Sequence, residues 1–268
     1  MTTALYSFGG GQMVTAILRA ALKKHAFQPT DVFVNDISPD RVTYLRETFA
    51  IGSDSKIDQK RLAEAAIILL GVRPQDDWVG LIQTIAQTNT HAQVVSIIAG
   101  VTLDQLKAAS NVSNLAVTRV IPNTLTDTGF GYSGVTLSAH ADQAQVEPFV
   151  KSFGKVDYIP ETQIDSYTGY GVAGPNYIYN FFIALTNAGV LGGLSRKQAN
   201  AIALENLQGA ARMLELTGKH PAELLDINNS AGGVGIAAQH ELDASDFAAG
   251  IQNDVLAAIK RTTELGGH

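Results

Sequence analysis

The sequence predicts an α/β protein in which a doubly wound, mostly parallel sheet over residues 1–160 precedes an all-helical domain over residues 161–268. Two observations favour this class. Before residue 160, short runs rich in β-branched residues alternate with amphipathic stretches, as in a parallel sheet covered by helices. After Pro160 the apolar residues follow the helical period alone. A chain of 268 residues is long enough to bury such cores without a metal or a disulfide.

The first domain is expected to alternate strands and helices in βαβ order. Apolar runs bounded by polar residues predict strands at residues 4–8, 31–35, 66–72, 93–97 and 116–120. Amphipathic stretches predict helices between them at residues 13–24, 39–48, 75–87 and 102–109. Two further strands, at residues 135–138 and 156–159, flank a predicted helix at residues 141–151.

The second domain is expected to contain helices at residues 175–191, 195–217, 222–228 and 244–265. Ser195 stands at an N-cap position and Gly218 at a C-cap position of the second of these helices. Residues 166–195 carry no charge, which raises the alternative of a membrane span. Because asparagines and glycines interrupt that run, a buried helix that serves dimerisation is favoured and no membrane partner is expected.

The composition excludes several kinds of site. Without cysteine the chain has no disulfide, thiolate zinc site, iron–sulfur cluster or cysteine nucleophile. No two of the six histidines have i, i+4 spacing, so no metal is expected. The formal charge of −6 provides no basic surface, so no nucleic-acid partner is expected. Charged residues are 16% of the chain against about 25% in typical domains, which favours a homo-oligomer.

The beginning of the sequence lacks the basic region and cleavage site of a signal peptide. The expected localisation is therefore cytoplasmic.

A nucleotide-binding loop is predicted directly after the first strand. Gly9 and Gly11 match the first two glycines of the dinucleotide fingerprint, which permit a tight turn and close approach of a pyrophosphate to a helix N-terminus. Val14 stands where the third small residue is usual, and it is expected to crowd the helix against the strand. Residues 129–134 match G-x-G-x-x-G in full, but a strand rather than a helix should follow, so a plain loop is predicted there.

Asp36 is expected at the end of the second strand, where an acidic residue accepts hydrogen bonds from the ribose 2′-hydroxyl of NAD. Ser38 and Arg41 follow and are the residues that would bind a 2′-phosphate instead. A third interpretation of Asp36 is that it caps the helix beginning at Pro39. The sequence leaves NADH and NADPH both open.

A series of short motifs runs along the whole chain in one order. They are Gly9-Gly10-Gly11-Gln12-Met13, Val72-Arg73-Pro74-Gln75, Ser96-Ile97-Ile98-Ala99-Gly100-Val101, Arg119-Val120-Ile121-Pro122-Asn123-Thr124, Gly174-Pro175 with Tyr177, Ala188-Gly189-Val190, Gly193-Leu194-Ser195-Arg196, Gly209-Ala210-Ala211 and His220-Pro221. In type, order and spacing they resemble the motifs of the pyrroline-5-carboxylate reductases.

The resemblance implies a Rossmann domain that holds NAD(P)H and a helical domain that dimerises, often into rings of dimers. It implies an NAD(P)-dependent oxidoreductase of proline biosynthesis that transfers hydride from the nicotinamide to the carbon of a cyclic imine, yielding proline. By motif position, the implied cofactor-binding residues are Gly9, Gly11, Gln12 and Met13 at the pyrophosphate, and Val72, Arg73, Pro74, Ala99, Gly100 and Asn123 toward the nicotinamide. No catalytic residue is assigned.

The implied substrate loop departs from the family pattern. The family has S-P-G-G-[TA]-T, whose backbone amides and final threonine contact the carboxylate and ring nitrogen of the imino acid, whereas this chain has Ser230-Ala231-Gly232-Gly233-Val234-Gly235. The implied substrate-binding residues are Ser230, Gly232, Gly233, Val234 and Gly235, with Asn176 in the altered upstream motif. The lost hydroxyls leave two alternatives open: reduction of a different imine or carbonyl, and a noncatalytic nucleotide-binding regulator. Gly235→Thr is predicted to lower KM if the loop is family-like.

Overall fold

The structure is a computed structural model that describes residues 4–266. It divides into two compact units, one formed by the chain up to residue 172 together with the residues from 258 onward, the other by residues 173–257. The first unit contains a mostly parallel sheet with helices on both faces, and the second contains helices only. The predicted fold class is confirmed.

An eight-stranded sheet forms the centre of the first unit. Its strands are β1 (Leu5–Phe8), β2 (Val32–Asn35), β3 (Gly52–Asp54), β4 (Ile67–Leu70), β5 (Gln93–Ser96), β6 (Val117–Pro122), β7 (Tyr132–Leu137) and β8 (Lys155–Tyr158). Their order is β3-β2-β1-β4-β5-β6-β7-β8, and only β6 and β7 pair antiparallel. Because β1 has β2 on one side and β4 on the other, the strand order reverses there, which is where open α/β sheets bind ligands.

Helices cover both faces of this sheet. They are α1 (Gln12–Lys23), α2 (Pro39–Phe49), α3 (Gln59–Glu64), α4 (Trp78–Thr88), α5 (Leu103–Ser110), α6 (Gln143–Ser152) and the short α7 (Ile164–Tyr167), which a π-helical turn at Thr168–Val172 follows. Alternation along β1 separates two cores: Leu5 shares a buried cluster with Ile17 of α1, whereas Tyr6 shares another with Ile82 of α4 and Leu106 of α5.

Several features of the first unit were not predicted, and the short helix α7 is one of them. β3 has the sequence Gly-Ser-Asp, which carries no apolar side chain and so gives no strand signal. It is an edge strand whose Ser53 hydroxyl donates to the carbonyl of Val34 at 2.8 Å. The short helix α3 was also missed, and β7 begins at Tyr132 rather than at residue 135.

The second unit contains α8 (Gly174–Leu191), α9 (Arg196–Thr217), α10 (Pro221–Asn228), α11 (Val234–Asp243) and the part of α12 (Phe247–Gly266) up to residue 257. The predicted caps of α9 are confirmed: the Gln198 N–H donates to the Ser195 hydroxyl at 3.3 Å, and Gly218 has a φ of +60°. Helix α11 lies between the helices predicted at residues 222–228 and 244–265, in a segment where the glycines around its start weaken the helical signal.

Helix α8 presents much of its apolar surface to solvent. Ile178 and Ile183 are 54% and 56% exposed. Within residues 4–266, no helix combines the length and the apolar character needed to cross a bilayer.

Candidate active site

The loop between β1 and α1 carries the glycines of the predicted nucleotide motif. Gly9 has a φ of +86°, and a Cβ at this position would lie 2.6 Å from the carbonyl oxygen of Gly71. Gly11 is the N-cap of α1, and none of the described side chains caps that helix. A Cβ on Gly11 would meet no atom within 4 Å, so the backbone is open on that side to a phosphate group.

Val14, the unusual residue of the motif, is fully buried against the sheet. The space it needs is provided by Gly71 after β4, because a Cβ on Gly71 would collide with Cγ2 of Val14. The expected crowding is therefore relieved by a second glycine that directly follows a neighbouring strand.

A cavity of about 450 Å³ adjoins this loop. Eight of the predicted cofactor-binding residues line it together: Gly11, Gln12, Met13, Val72, Arg73, Pro74, Ala99 and Gly100. The other lining residues, not predicted for this role, are Val14, Gly71, Ile97, Arg119, Ile121, Pro122, Thr168, Val172 and Thr262. Six of them lie in recognised motifs that could have indicated them: Val14, Ile97, Arg119, Ile121, Pro122 and Val172. Gly71, Thr168 and Thr262 lie outside those motifs.

Asn123 and Gly9 lie beside the cavity lining rather than in it. Asn123 follows β6, and its Oδ1 accepts hydrogen bonds from the N–H groups of Leu125 and Tyr132 at 3.2 and 3.3 Å. Its side chain thus fixes the turn that joins β6 to β7.

Two arginines line the cavity, and each is paired with a carboxylate. Arg73 is an exposed residue whose guanidinium donates to the carboxylate of Asp76 at 2.8 Å. These hydrogen bonds hold the pKa of Asp76 below its ordinary value.

Arg119, the second arginine, is only 3% exposed. Its Nη1 donates to Glu161 Oε1 at 3.0 Å, and the same oxygen accepts the N–H of Leu103 at 2.8 Å. Glu161 therefore compensates a buried charge and also ties the start of α5 to β6.

Asp36 directly follows β2 and faces the glycine loop. Its carboxylate accepts the N–H of Gly10 at 2.7 Å and that of Ser38 at 2.9 Å. The interpretation of Asp36 as a helix cap is wrong, because Ser38 is the N-cap of α2 and accepts the N–H of Arg41 at 3.4 Å.

The second glycine motif, residues 129–134, has no helix behind it. Gly129 ends a 3₁₀ turn, and the chain continues as β7 from Tyr132. The prediction that these glycines form a loop without a helix N-terminus is confirmed, so they offer no phosphate site of the kind at Gly11.

The predicted substrate loop lies in the second unit. Gly233 is the N-cap of α11, so the segment Ser230–Gly235 places backbone N–H groups at the start of a ten-residue helix. Asn176 lies in the first turn of α8. The amide of Asn229 donates to Gln239 Oε1 at 2.6 Å, which holds the Asn229 side chain against α11.

Position 235 has no room for the family's threonine. A Cβ on Gly235 would collide with Oδ1 of Asn229 and lie 2.9 Å from the carbonyl oxygen of Asn228. The side chain of Asn229 thus occupies the space that a threonine would need, which sequence reasoning missed because no local pattern reveals it.

This steric conflict predicts the opposite effect of Gly235→Thr from the one expected of a family-like loop. For the imino-acid substrate that the resemblance implies, we expect this variant to raise KM by about tenfold, because the new side chain must displace Asn229 and disturb the start of α11. Steady-state kinetics of the single variant and of Gly235→Thr with Asn229→Ala would check this. The double variant should recover part of the loss; a KM below wild type in the single variant would contradict the steric argument.

Two family models match the chain. One described as pyrroline-5-carboxylate reductase dimerisation matches residues 161–265, and one described as NADP oxidoreductase, coenzyme F420-dependent, matches residues 7–100. The chain is 32% identical to the pyrroline-5-carboxylate reductase of Synechocystis over 270 residues, with 99% of each chain covered. It is 32% identical to that of Escherichia coli over 260 residues, with 96% of each chain covered.

Solved structures have the same fold. A pyrroline-5-carboxylate reductase from Coxiella burnetii is similar with a TM-score of 0.86 at 23% identity, covering 99% of both chains. The Plasmodium falciparum pyrroline carboxylate reductase with NADP bound has a TM-score of 0.85 at 23% identity, covering 98% of both chains. The motifs, the two-unit architecture and the full-length identity to curated relatives agree: this chain belongs to the pyrroline-5-carboxylate reductase family.

Proposed function

We propose that the protein is an NAD(P)H-dependent oxidoreductase that reduces pyrroline-5-carboxylate to proline. The observation that carries the proposal is full-length membership of the family together with a glycine loop that opens into a lined cavity. In this reaction the C=N carbon gains hydride and the ring nitrogen keeps or gains a proton, which yields the saturated ring. The bound coenzyme supplies the hydride.

The residues of the first unit fit such a coenzyme. A Cβ on Gly11 would stand in open space beside the helix N-terminus, so the glycine leaves room that the protein itself does not fill. The backbone N–H groups and positive end of α1 favour a pyrophosphate there. Apolar lining residues such as Ile97, Ile121 and Val172 exclude water from the nicotinamide end of the cavity.

In the second unit we assign substrate binding to Asn176 and to the loop of Ser230, Gly232, Gly233, Val234 and Gly235. The N–H groups at the start of α11 favour an anion, so they suit the carboxylate of an imino acid. Because Gly235 carries no hydroxyl, contact with the ring nitrogen must come from elsewhere, and this favours a different imine or a carbonyl compound as the second candidate substrate.

The test is imine-dependent oxidation of NADH and NADPH by the purified protein. We expect turnover of pyrroline-5-carboxylate with formation of proline. A panel of other cyclic imines and carbonyl acids separates the candidates, since a higher kcat/KM for one of them would replace the proposed substrate. Nucleotide binding without turnover on any member of the panel would overturn the enzyme assignment in favour of a regulator.

We also propose that the protein assembles as a homodimer through its helical unit, with rings of dimers as the larger assembly. The match of residues 161–265 to a dimerisation family and the exposed apolar side chains of α8 support this. Sedimentation velocity should give a mass of two chains or a larger even number. A monomer across the concentration range of the assay would contradict the assembly.

A further inference from the structure

The end of β2 holds a fixed negative charge against the glycine loop. Both carboxylate oxygens of Asp36 accept backbone N–H groups, Oδ2 from Gly10 at 2.7 Å and Oδ1 from Ser38 at 2.9 Å. A carboxylate held in this way cannot turn away from a ligand on the loop without losing a charge-assisted hydrogen bond. Each oxygen keeps a second lone pair, so the group can accept further hydrogen bonds.

Arg41, the basic side chain that touches the glycine loop, is already engaged by it. Its guanidinium donates to the carbonyl oxygens of Gly10 and Gly11, the latter at 3.3 Å, and to the hydroxyl of Thr15. The guanidinium carbon also lies 4.4 Å from the ring centroid of Tyr44. The guanidinium thus donates its hydrogen bonds to acceptors within the loop. It could bind a 2′-phosphate only if these hydrogen bonds broke.

We propose that Asp36 and Arg41 together select NADH over NADPH. This inference rests on the proposed function, since it takes the ligand of the loop to be a nicotinamide dinucleotide. Asp36 accepts the 2′-hydroxyl of the adenosine ribose and repels a 2′-phosphate by like charge. Arg41 is a positioning residue: it clamps the carbonyl side of the loop and provides no phosphate contact.

The experiment is titration of the full-length protein with NADH and with NADPH, without imine, followed by nucleotide fluorescence or calorimetry. We expect the wild-type protein to bind NADH at least about tenfold more tightly than NADPH. A hydrogen bond to a charged group changes affinity by a factor of about 10 to 100. Asp36→Ser should lower the NADH:NADPH affinity ratio by about tenfold or more. Asp40→Ser is the matched control, since it removes an exposed carboxylate from the same segment and should leave the ratio unchanged.

Arg41→Met distinguishes the two roles of the arginine. A clamp that positions the loop would, when removed, weaken NADH and NADPH binding by the same factor. A selective loss of NADPH affinity would overturn the inference, because it would show that the guanidinium binds the 2′-phosphate.

The remaining outcomes separate this inference from the proposed function. Tighter binding of NADPH by the wild-type protein, or an unchanged ratio in Asp36→Ser, overturns the selection of NADH even if the protein reduces pyrroline-5-carboxylate. Tight NADH binding that depends on Asp36, with no turnover of any imine, supports the selection of NADH and overturns the proposed function alone.

Discussion

The substitution Gly11→Val is expected to reduce affinity for the nicotinamide coenzyme by more than about a hundredfold while leaving the protein folded. Gly11 has an ordinary φ of −64°, and a Cβ there meets no protein atom within 4 Å. The change should therefore alter the free energy of unfolding by only about 1 kcal/mol, the usual effect of a poor N-cap residue. Its two methyl groups would occupy the space beside the start of α1 that the pyrophosphate needs. Coenzyme titration and urea unfolding of Gly11→Val measure the two quantities separately.

Gly9→Ala is the informative comparison. The new Cβ would lie 2.6 Å from the carbonyl oxygen of Gly71, and residue 9 has a left-handed backbone conformation. We therefore expect Gly9→Ala to lower the free energy of unfolding more than it lowers the coenzyme affinity of the folded protein. If Gly11→Val bound the coenzyme as well as wild type does, the loop would not be the pyrophosphate site.

Loss of Glu161 is expected to destabilise the first unit by up to about 3 kcal/mol, the lower end of the range for a buried ion pair, because Arg119 is buried while Glu161 is partly exposed. Arg119 is 3% exposed and its Nε has no hydrogen-bond partner in the described structure, so Glu161 provides the compensation for its charge. The Glu161→Ala variant also leaves the N–H of Leu103 without its acceptor. Urea unfolding followed by tryptophan fluorescence would measure the change.

The double variant Arg119→Met with Glu161→Leu separates lost charge compensation from lost packing. With both charges gone no uncompensated ion remains, and most of the stability should return. A single Glu161→Ala variant as stable as wild type would mean that Arg119 finds another partner or water.

The alternation of strands and helices in the first unit could be predicted because each element carries its own period. The run at 67–70 is short and apolar, the run at 93–96 has two valines at its centre, and the glycines after β1 indicate a turn into a helix. β3 could not be predicted in this way. Its side chains are small or polar, and what makes it a strand is the backbone ladder that it forms with β2.

The same division applies to the candidate sites. The family resemblance implied that motif residues such as Gln12 and Pro74 bind one cofactor, and the structure brings them to one cavity because the ends of parallel strands meet at one edge of the sheet. Thr168 and Thr262 reach that cavity through tertiary packing, which leaves no trace in local sequence. The side chain of Asn229 in the space beside Gly235 is likewise a contact between segments, and it reverses an expected result of mutagenesis.

Val14 is larger than the residue usual at its position, and Gly71 leaves the space that it needs. The effects of mutations at these two positions should therefore not be additive. The side chain of Val14 fits only because residue 71 is a glycine. A larger side chain at position 71 should therefore be accepted only when residue 14 is small. Substitutions that bring Val14 closer to the consensus fingerprint would open a void unless residue 71 gained the lost volume. Positions 14 and 71 should therefore be varied together when the coenzyme loop is engineered. A scan that changes one position at a time would miss the pairs of side chains that fit.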